Sequence, residues 1–212
     1  MTGNTGAPGA SGAAAARDLV AKVLAFRSAV VNVKCRAPTA GHGSGTKTTN
    51  GLIVTAFHVV DGCTSAEYYA EGKLVGAGGM YAAPVLGRDL AVISSINWTP
   101  DGGAIPGVAA YDNVKPTIGD ATVLASYPAD VEADIQFAWG LVTDDDVTTS
   151  LPGDFQTKWS GAFTTDSAGA QGSSGGPMFD KDGRWVGILV GQWGANGNTD
   201  VDLRILIPLK FK

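Results

Sequence analysis

Six consecutive residues, Gly172-Ser173-Ser174-Gly175-Gly176-Pro177, have the composition of a nucleophile presented on a tight turn. A serine oxygen that attacks a carbonyl must stand on backbone that few residues can adopt, and neighbouring glycines supply both that conformation and room for a substrate to approach. The amides of Gly172 and Ser174 can then face the oxygen on which negative charge develops. Alone, GSSGG fits a Gly/Ser-rich surface loop equally well, so the residues that must act with it decide. A serine hydroxyl needs a base, and the chain has 2 histidines, His42 and His58. His58 follows the β-rich run GLIVTAF, where a strand end can hold an imidazole rigidly, whereas the glycines of AGHGSGTKTTNG make His42 read as a surface-loop residue. The base in turn needs a carboxylate that fixes its tautomer and offsets its charge. Asp89, immediately before the hydrophobic run LAVI, is the best candidate, with the end of a loop as the competing reading. Asp61, Asp101 and Asp112 have turn-like surroundings.

Chain order narrows the chemistry. GSSGG also satisfies G-x-S-x-G, but the hydrolases built on that elbow have their histidine after the serine, and none follows Ser174. An Asp-His-Ser order would have to use Asp18, the only aspartate before His58. His58, Asp89 and Ser174, in that order, remain.

The elements that must position them are short and β-rich. After Ser28 the chain reads as AVVNVK, GLIVTA, LAVISSI, ATVLASY, IQFAWGLV, RWVGILVG and LRILIPL, separated by Gly, Pro, Asn and Asp. This predicts an all-β protein of two six-stranded antiparallel barrels, the first over 28–108 with His58 and Asp89, the second over 109–212 with Ser174. Residues 1–16, rich in Gly and Ala, read as a flexible leader, and 17–27 as a short amphipathic helix with Leu19, Val20, Val23 and Leu24 on the face that packs on a barrel. The run Asp144-Asp145-Asp146 reads as a solvated loop, because adjacent carboxylates diverge where calcium loops alternate their ligands. Cys35 and Cys63, the only cysteines, allow one disulfide or two small buried hydrophobes and give no metal-ligand spacing. A net charge of −5 and a pI near 4.9 argue against nucleic acid and anionic membranes as partners. No signal peptide or transmembrane segment is evident.

At these residues the sequence resembles the trypsin-like (chymotrypsin-fold) serine proteases, most nearly the protease domain of the Deg-type, high-temperature-requirement enzymes. SAVVNV is similar to their first strand, GSGT with GLIVTAFHVV to their histidine region, GRDLAVI to their aspartate region, and TTDSAGAQGSSGGPMF to their serine region, with Asp166 ahead of the nucleophile. The resemblance spans most of 28–212 and implies the double barrel, endopeptidase activity on polypeptide substrates without a cofactor or metal, and an oxyanion hole from the amides of Gly172 and Ser174. It also implies that Ala168, Gly169 and Ala170 line the substrate pocket where enzymes that cleave after basic residues have a carboxylate. An uncharged pocket suits small or medium apolar residues before the scissile bond. Ser173 stands where digestive relatives have the aspartate that pairs with a freshly cut N-terminus, so activation without such a cut is expected. The oxyanion turn is then ordered by its own contacts, by substrate, or by a neighbouring subunit of a homo-oligomer. The Deg-type PDZ domain is not expected in the residues that follow Ser174. The competing function is a binding or scaffold protein that retains the fold with an inactive site.

Overall fold

The computed structural model describes residues 10–37, 41–79, 81–84, 89–110, 114–131, 133–149, 159–193 and 203–208. Two curled antiparallel sheets carry the chain. The first contains β1 (Val30–Ala37), β2 (Gly41–Lys47), β3 (Ile53–Thr55), β4 (Ser65–Ala70), β5 (Lys73–Gly79), β6 (Tyr81–Pro84), β7 (Ala91–Ser94) and β8 (Asn97–Trp98), in the spatial order β6-β7-β3-β2-β1-β4-β5-β8. The second contains β9 (Ala121–Ser126), β10 (Gln136–Thr149), β11 (Trp159–Thr165), β12 (Pro177–Asp180), β13 (Trp185–Trp193) and β14 (Leu203–Pro208), closed as β10-β11-β14-β13-β12-β9.

The all-β double-barrel reading holds, with six strands in the second barrel but eight shorter segments in the first. LAVISSI is one source of the difference. Ser95 takes φ 60°, which ends β7, and Asn97-Trp98 pair instead with Gly76-Ala77 of β5. Alternation sets the inward faces: in β4, Ala66, Tyr68 and Ala70 are buried while Ser65, Glu67 and Tyr69 are half-exposed. Val33, Ile53, Tyr68, Leu90 and Ile93 join Val123, Phe179, Trp185 and Ile188 in one buried cluster that runs across both sheets.

The largest correction concerns GHGSGTK. It is strand β2, buried from Gly43 to Lys47. Its glycines are packing residues, since a Cβ on Gly43 would stand 2.6 Å from Val59 and 2.9 Å from the carbonyl oxygen of Ser174. His42 therefore lies on a strand at the junction of the sheets and not in a surface loop.

Helix α1 covers Ala10–Leu24 and so begins inside the expected leader and ends before Arg27. Alanine is the strongest helix former, so the Ala-rich end of the expected leader extends the helix backwards. Leu19 and Val23 are buried, Val20 is half-buried, and Leu24 is exposed. The helix packs against β9 and β10, and Phe26 beyond it stacks on Phe179 with ring centroids 5.6 Å apart. Among the described residues no helix is long and apolar enough to cross a membrane.

Between the sheets, α3 (Pro100–Ala104) is capped by Thr99, whose side-chain oxygen accepts the Gly102 amide at 3.0 Å. Buried Lys47 donates to the carbonyls of Gly102, Gly103 and Ile105 at 2.7, 3.3 and 2.8 Å, which satisfies the helix's last acceptors with a cation. Val108 then bridges to Thr48 of the first sheet and Ala110 to Trp185 of the second. Cys35 and Cys63 are joined, with Cα atoms 5.8 Å apart, tying β1 to the chain just after α2 (Phe57–Val60). Asp144-Asp145-Asp146 belong to β10 instead of a loop, at a place where its pairing with β11 shifts register. Asp144 accepts the Asp146 amide at 3.0 Å and Lys115 approaches Asp146 at 3.6 Å.

Candidate active site

His58 is the second residue of α2, the single helical turn that follows β3. Asp89 precedes β7, which pairs with β3, so the sheet brings two residues 31 apart in sequence into contact. The Asp89 carboxylate is 1% exposed, and a buried charge of this kind must be hydrogen-bonded. Both of its oxygens are engaged by His58: the backbone N–H donates to Oδ1 at 2.7 Å, and the ring Nδ1 lies 2.5 Å from Oδ2. With Nδ1–H directed at the carboxylate, the Nε2 of the neutral ring is left as the acceptor. The imidazole side is 35% exposed, so that nitrogen is within reach of a reactant.

Ser174 lies in the turn between β11 and β12. Gly172 and Gly175 take φ +91° and +84°, conformations that explain two of the motif's glycines. Every peptide unit of the turn is oriented by a partner. The Gln171 carbonyl accepts Ala129 N–H at 2.7 Å, and Ser173 N–H donates to Ala170 at 2.9 Å. The Ser173 carbonyl accepts Gly176 N–H at 3.0 Å, the Ser174 carbonyl accepts Ser44 N–H at 2.7 Å, and Gly175 N–H donates to Leu189 at 2.7 Å. In a trans peptide the N–H points opposite to the C=O. Anchoring the carbonyls of Gln171 and Ser173 thus aims the N–H groups of Gly172 and Ser174 away from those anchors, and no acceptor for either is found among the described residues. Such a pair of amides can receive an oxyanion.

The turn is pressed against the first sheet. A Cβ on Gly175 would stand 2.1 Å from the Ser44 carbonyl oxygen, 2.3 Å from Thr55 Oγ1 and 2.9 Å from the amide of Ala56, two residues before His58. A Cβ on Gly172 would stand 2.5 Å from His42 Nε2. The turn that carries Ser174 and the turn that carries His58 therefore meet at the junction of the sheets. Ser44, Thr55 and Ala129, which shape that junction, were not distinguishable from ordinary strand and loop residues in the sequence. The small-residue run around Ser44 was the available signal.

Ala168, Gly169 and Ala170 lie in the segment leading into the turn and line a cleft of about 460 Å³ together with Ser126, Phe137, Trp139 and Ser173. This cleft reaches Ser173 and not Ser174, and exposed Asp130 is also on its wall. Buried Ser173 accepts hydrogen bonds from Ser126 Oγ at 3.0 Å and Ala170 N–H at 3.2 Å. Asp166 ties the same segment to β10 by accepting the Leu141 amide at 2.6 Å.

Two curled antiparallel sheets, with a Ser-bearing glycine turn of one packed against a His/Asp-bearing edge of the other, define the class of trypsin-like serine proteases. The trypsin-like peptidase domain matches residues 43–188, and the chain belongs to that family. No curated protein matches the sequence. Among solved structures, the inactive form of the Rv3671c protease, an M. tuberculosis protein, superposes with TM-score 0.69 at 20% identity, covering 88% of this chain and 86% of that one. The MamO protease domain from Magnetospirillum magneticum gives TM-score 0.67 at 20% identity, covering 87% and 93%. The HtrA-type protease AlgW with a tripeptide gives 0.68 at 20%, covering 90% of this chain and 59% of that one.

Proposed function

We propose that the chain hydrolyses peptide bonds through an acyl-enzyme, with Ser174 as nucleophile, His58 as general base and acid, and Asp89 as the group that orients His58. The observation that carries this reading is the two-point contact of buried Asp89 with His58, beside a serine turn whose two outward amides find no acceptor among the described residues. Ser174 Oγ attacks the scissile carbonyl carbon while His58 Nε2 takes its proton. The oxygen that becomes negative is received by the N–H groups of Gly172 and Ser174. The C–N bond then breaks as His58 returns the proton to the leaving amine, and water repeats the sequence on the acyl ester. Asp89 accepts from Nδ1–H throughout and stabilises the imidazolium. The substrate preference is for small or medium apolar residues such as Val, Ala or Leu before the scissile bond. It rests on the resemblance together with the absence of charge at Ala168, Gly169 and Ala170.

The experiment is a mass-spectrometric cleavage profile on a peptide library, paired with fluorophosphonate labelling, for wild type, Ser174→Ala and Ser173→Ala. The expected result is cleavage after apolar residues, loss of turnover by about 10⁴-fold or more in Ser174→Ala, and retained labelling in Ser173→Ala. Labelling that survives in Ser174→Ala refutes the nucleophile, and a profile dominated by Arg, Lys or Glu refutes the pocket.

A further inference from the structure

Ser44 makes four hydrogen bonds from the centre of β2, and three of them cross to the other sheet. Its N–H donates to the Ser174 carbonyl at 2.7 Å, and its hydroxyl donates to the Gly172 carbonyl at 2.9 Å. The same hydroxyl oxygen accepts the Tyr127 N–H at 2.8 Å, and its own carbonyl accepts the Thr55 hydroxyl at 2.6 Å. The residue is fully buried, so water cannot replace any of these partners. A serine hydroxyl has one proton and two lone pairs; here the proton is directed at Gly172 because the Tyr127 amide can only donate.

The two carbonyls that Ser44 holds belong to the peptide units on either side of the Ser173-Ser174 unit. Fixing both leaves that central unit, whose N–H is the Ser174 amide, little freedom to rotate. The hydroxyl bond at Gly172 also abuts the Gln171-Gly172 unit, which is held from its other end by Ala129. Tyr127, on the strand side of Ala129, is itself fixed by Ser44, so one hydroxyl links the two supports of the turn. From this we infer that Ser44 is the positioning residue of the oxyanion turn: it sets the directions of the Gly172 and Ser174 amides from the opposite sheet and touches no substrate. The inference rests on the protease reading given above.

Displacement of a donor from a developing oxyanion costs turnover and leaves substrate binding alone, because the ground-state carbonyl bears little charge. In Ser44→Ala, kcat is expected to fall about 10- to 100-fold with KM within about threefold, and affinity for a peptide aldehyde, which places an oxyanion in the hole on addition, falls by the same factor. Ser44→Thr, which retains the hydroxyl, restores kcat to within about threefold of wild type. Urea melts run alongside; if Ser44→Ala is unfolded at the assay temperature, Thr55→Val carries the test. It keeps the side-chain shape but releases the Ser44 carbonyl, and it is expected to lower kcat at constant KM. A folded Ser44→Ala with wild-type kcat, a loss confined to KM, unchanged aldehyde affinity, or a Thr variant as impaired as the Ala variant overturns the role of Ser44. So does a wild-type kcat in Thr55→Val when that variant carries the test. Wild-type protein that neither cleaves peptides nor takes the label instead refutes the protease reading, and the role of Ser44 with it.

Discussion

Replacing Asp89 by Asn tests the His58 geometry with almost no change of shape. The carboxylate is 1% exposed and accepts from His58 twice, at 2.7 Å from the backbone N–H and 2.5 Å from Nδ1. A carboxamide has one acceptor oxygen and one donor NH₂, so it cannot accept at both of the positions that Oδ1 and Oδ2 occupy. If the oxygen retains the backbone N–H, the NH₂ faces Nδ1, which must then be the unprotonated nitrogen, and Nε2 carries the proton. A His58 in that tautomer cannot take the proton of Ser174. The flipped amide would set NH₂ against N–H in a buried site and leave two donors unsatisfied, at about 1–3 kcal/mol each. The first arrangement therefore wins by more than the 1.4 kcal/mol that makes a tenfold population ratio. Loss of the correct tautomer and of the charge opposite the imidazolium amounts to about 10⁴ in kcat, or about 5.5 kcal/mol, on the general Ser-His-Asp template. The assay is kcat and KM on the best library peptide, with thermal melts to show that the fold is retained. A folded Asp89→Asn enzyme within tenfold of wild-type kcat refutes the assignment of Asp89.

Two further outcomes follow from packing. Gly175→Ala places a Cβ 2.1 Å from the Ser44 carbonyl oxygen at φ +84°, so it should lose activity and at least about 2 kcal/mol of stability in urea denaturation, whereas a stable, active variant would contradict the tight junction. The Cys35–Cys63 bond closes a span of 28 residues, for which loop entropy gives roughly 3.5 kcal/mol, so the Cys35→Ala/Cys63→Ala double variant should show a lower urea midpoint; an unchanged midpoint would mean the bond does not form or does not contribute.

Much of the architecture was legible because strand patterning is local. GLIVTA, ATVLASY and LRILIPL contain β3, β9 and β14 within their bounds, and His58, Asp89 and Ser174 were singled out by type, order and flanking residues. What was missed depends on contacts between distant segments. GHGSGTK reads as a loop from its glycines, yet Val59 and the Ser174 carbonyl of the second sheet's turn fill the space a side chain would occupy at Gly43. The Ala-rich start of α1 reads as part of a flexible leader because composition alone does not separate a good helix former that has found a surface from one that has not. Asp144–Asp146 read as a solvated loop because adjacent carboxylates diverge and make no cation site, yet the long β10 carries them at an irregular stretch of its pairing.

The same contacts bear on how the turn is kept in order. In relatives that are switched on by cutting, a buried carboxylate beside the nucleophile pairs with a new ammonium. Here the corresponding side chain, Ser173, is neutral, fully buried and already satisfied by Ser126 and Ala170. An ammonium brought there would find no charge and would cost several kcal/mol to desolvate. Support comes instead from neutral bonds that originate in both sheets: Ala129 and Leu189 in the second, Ser44 in the first. Tyr127 adds a cross-brace, since its phenol, whose pKa burial raises, accepts the Glu71 amide at 2.9 Å from the turn between β4 and β5. Orientation of the Gly172 and Ser174 amides is thus a property of how the sheets dock. A perturbation that loosens the docking without unfolding either sheet should reduce turnover before it reduces secondary structure.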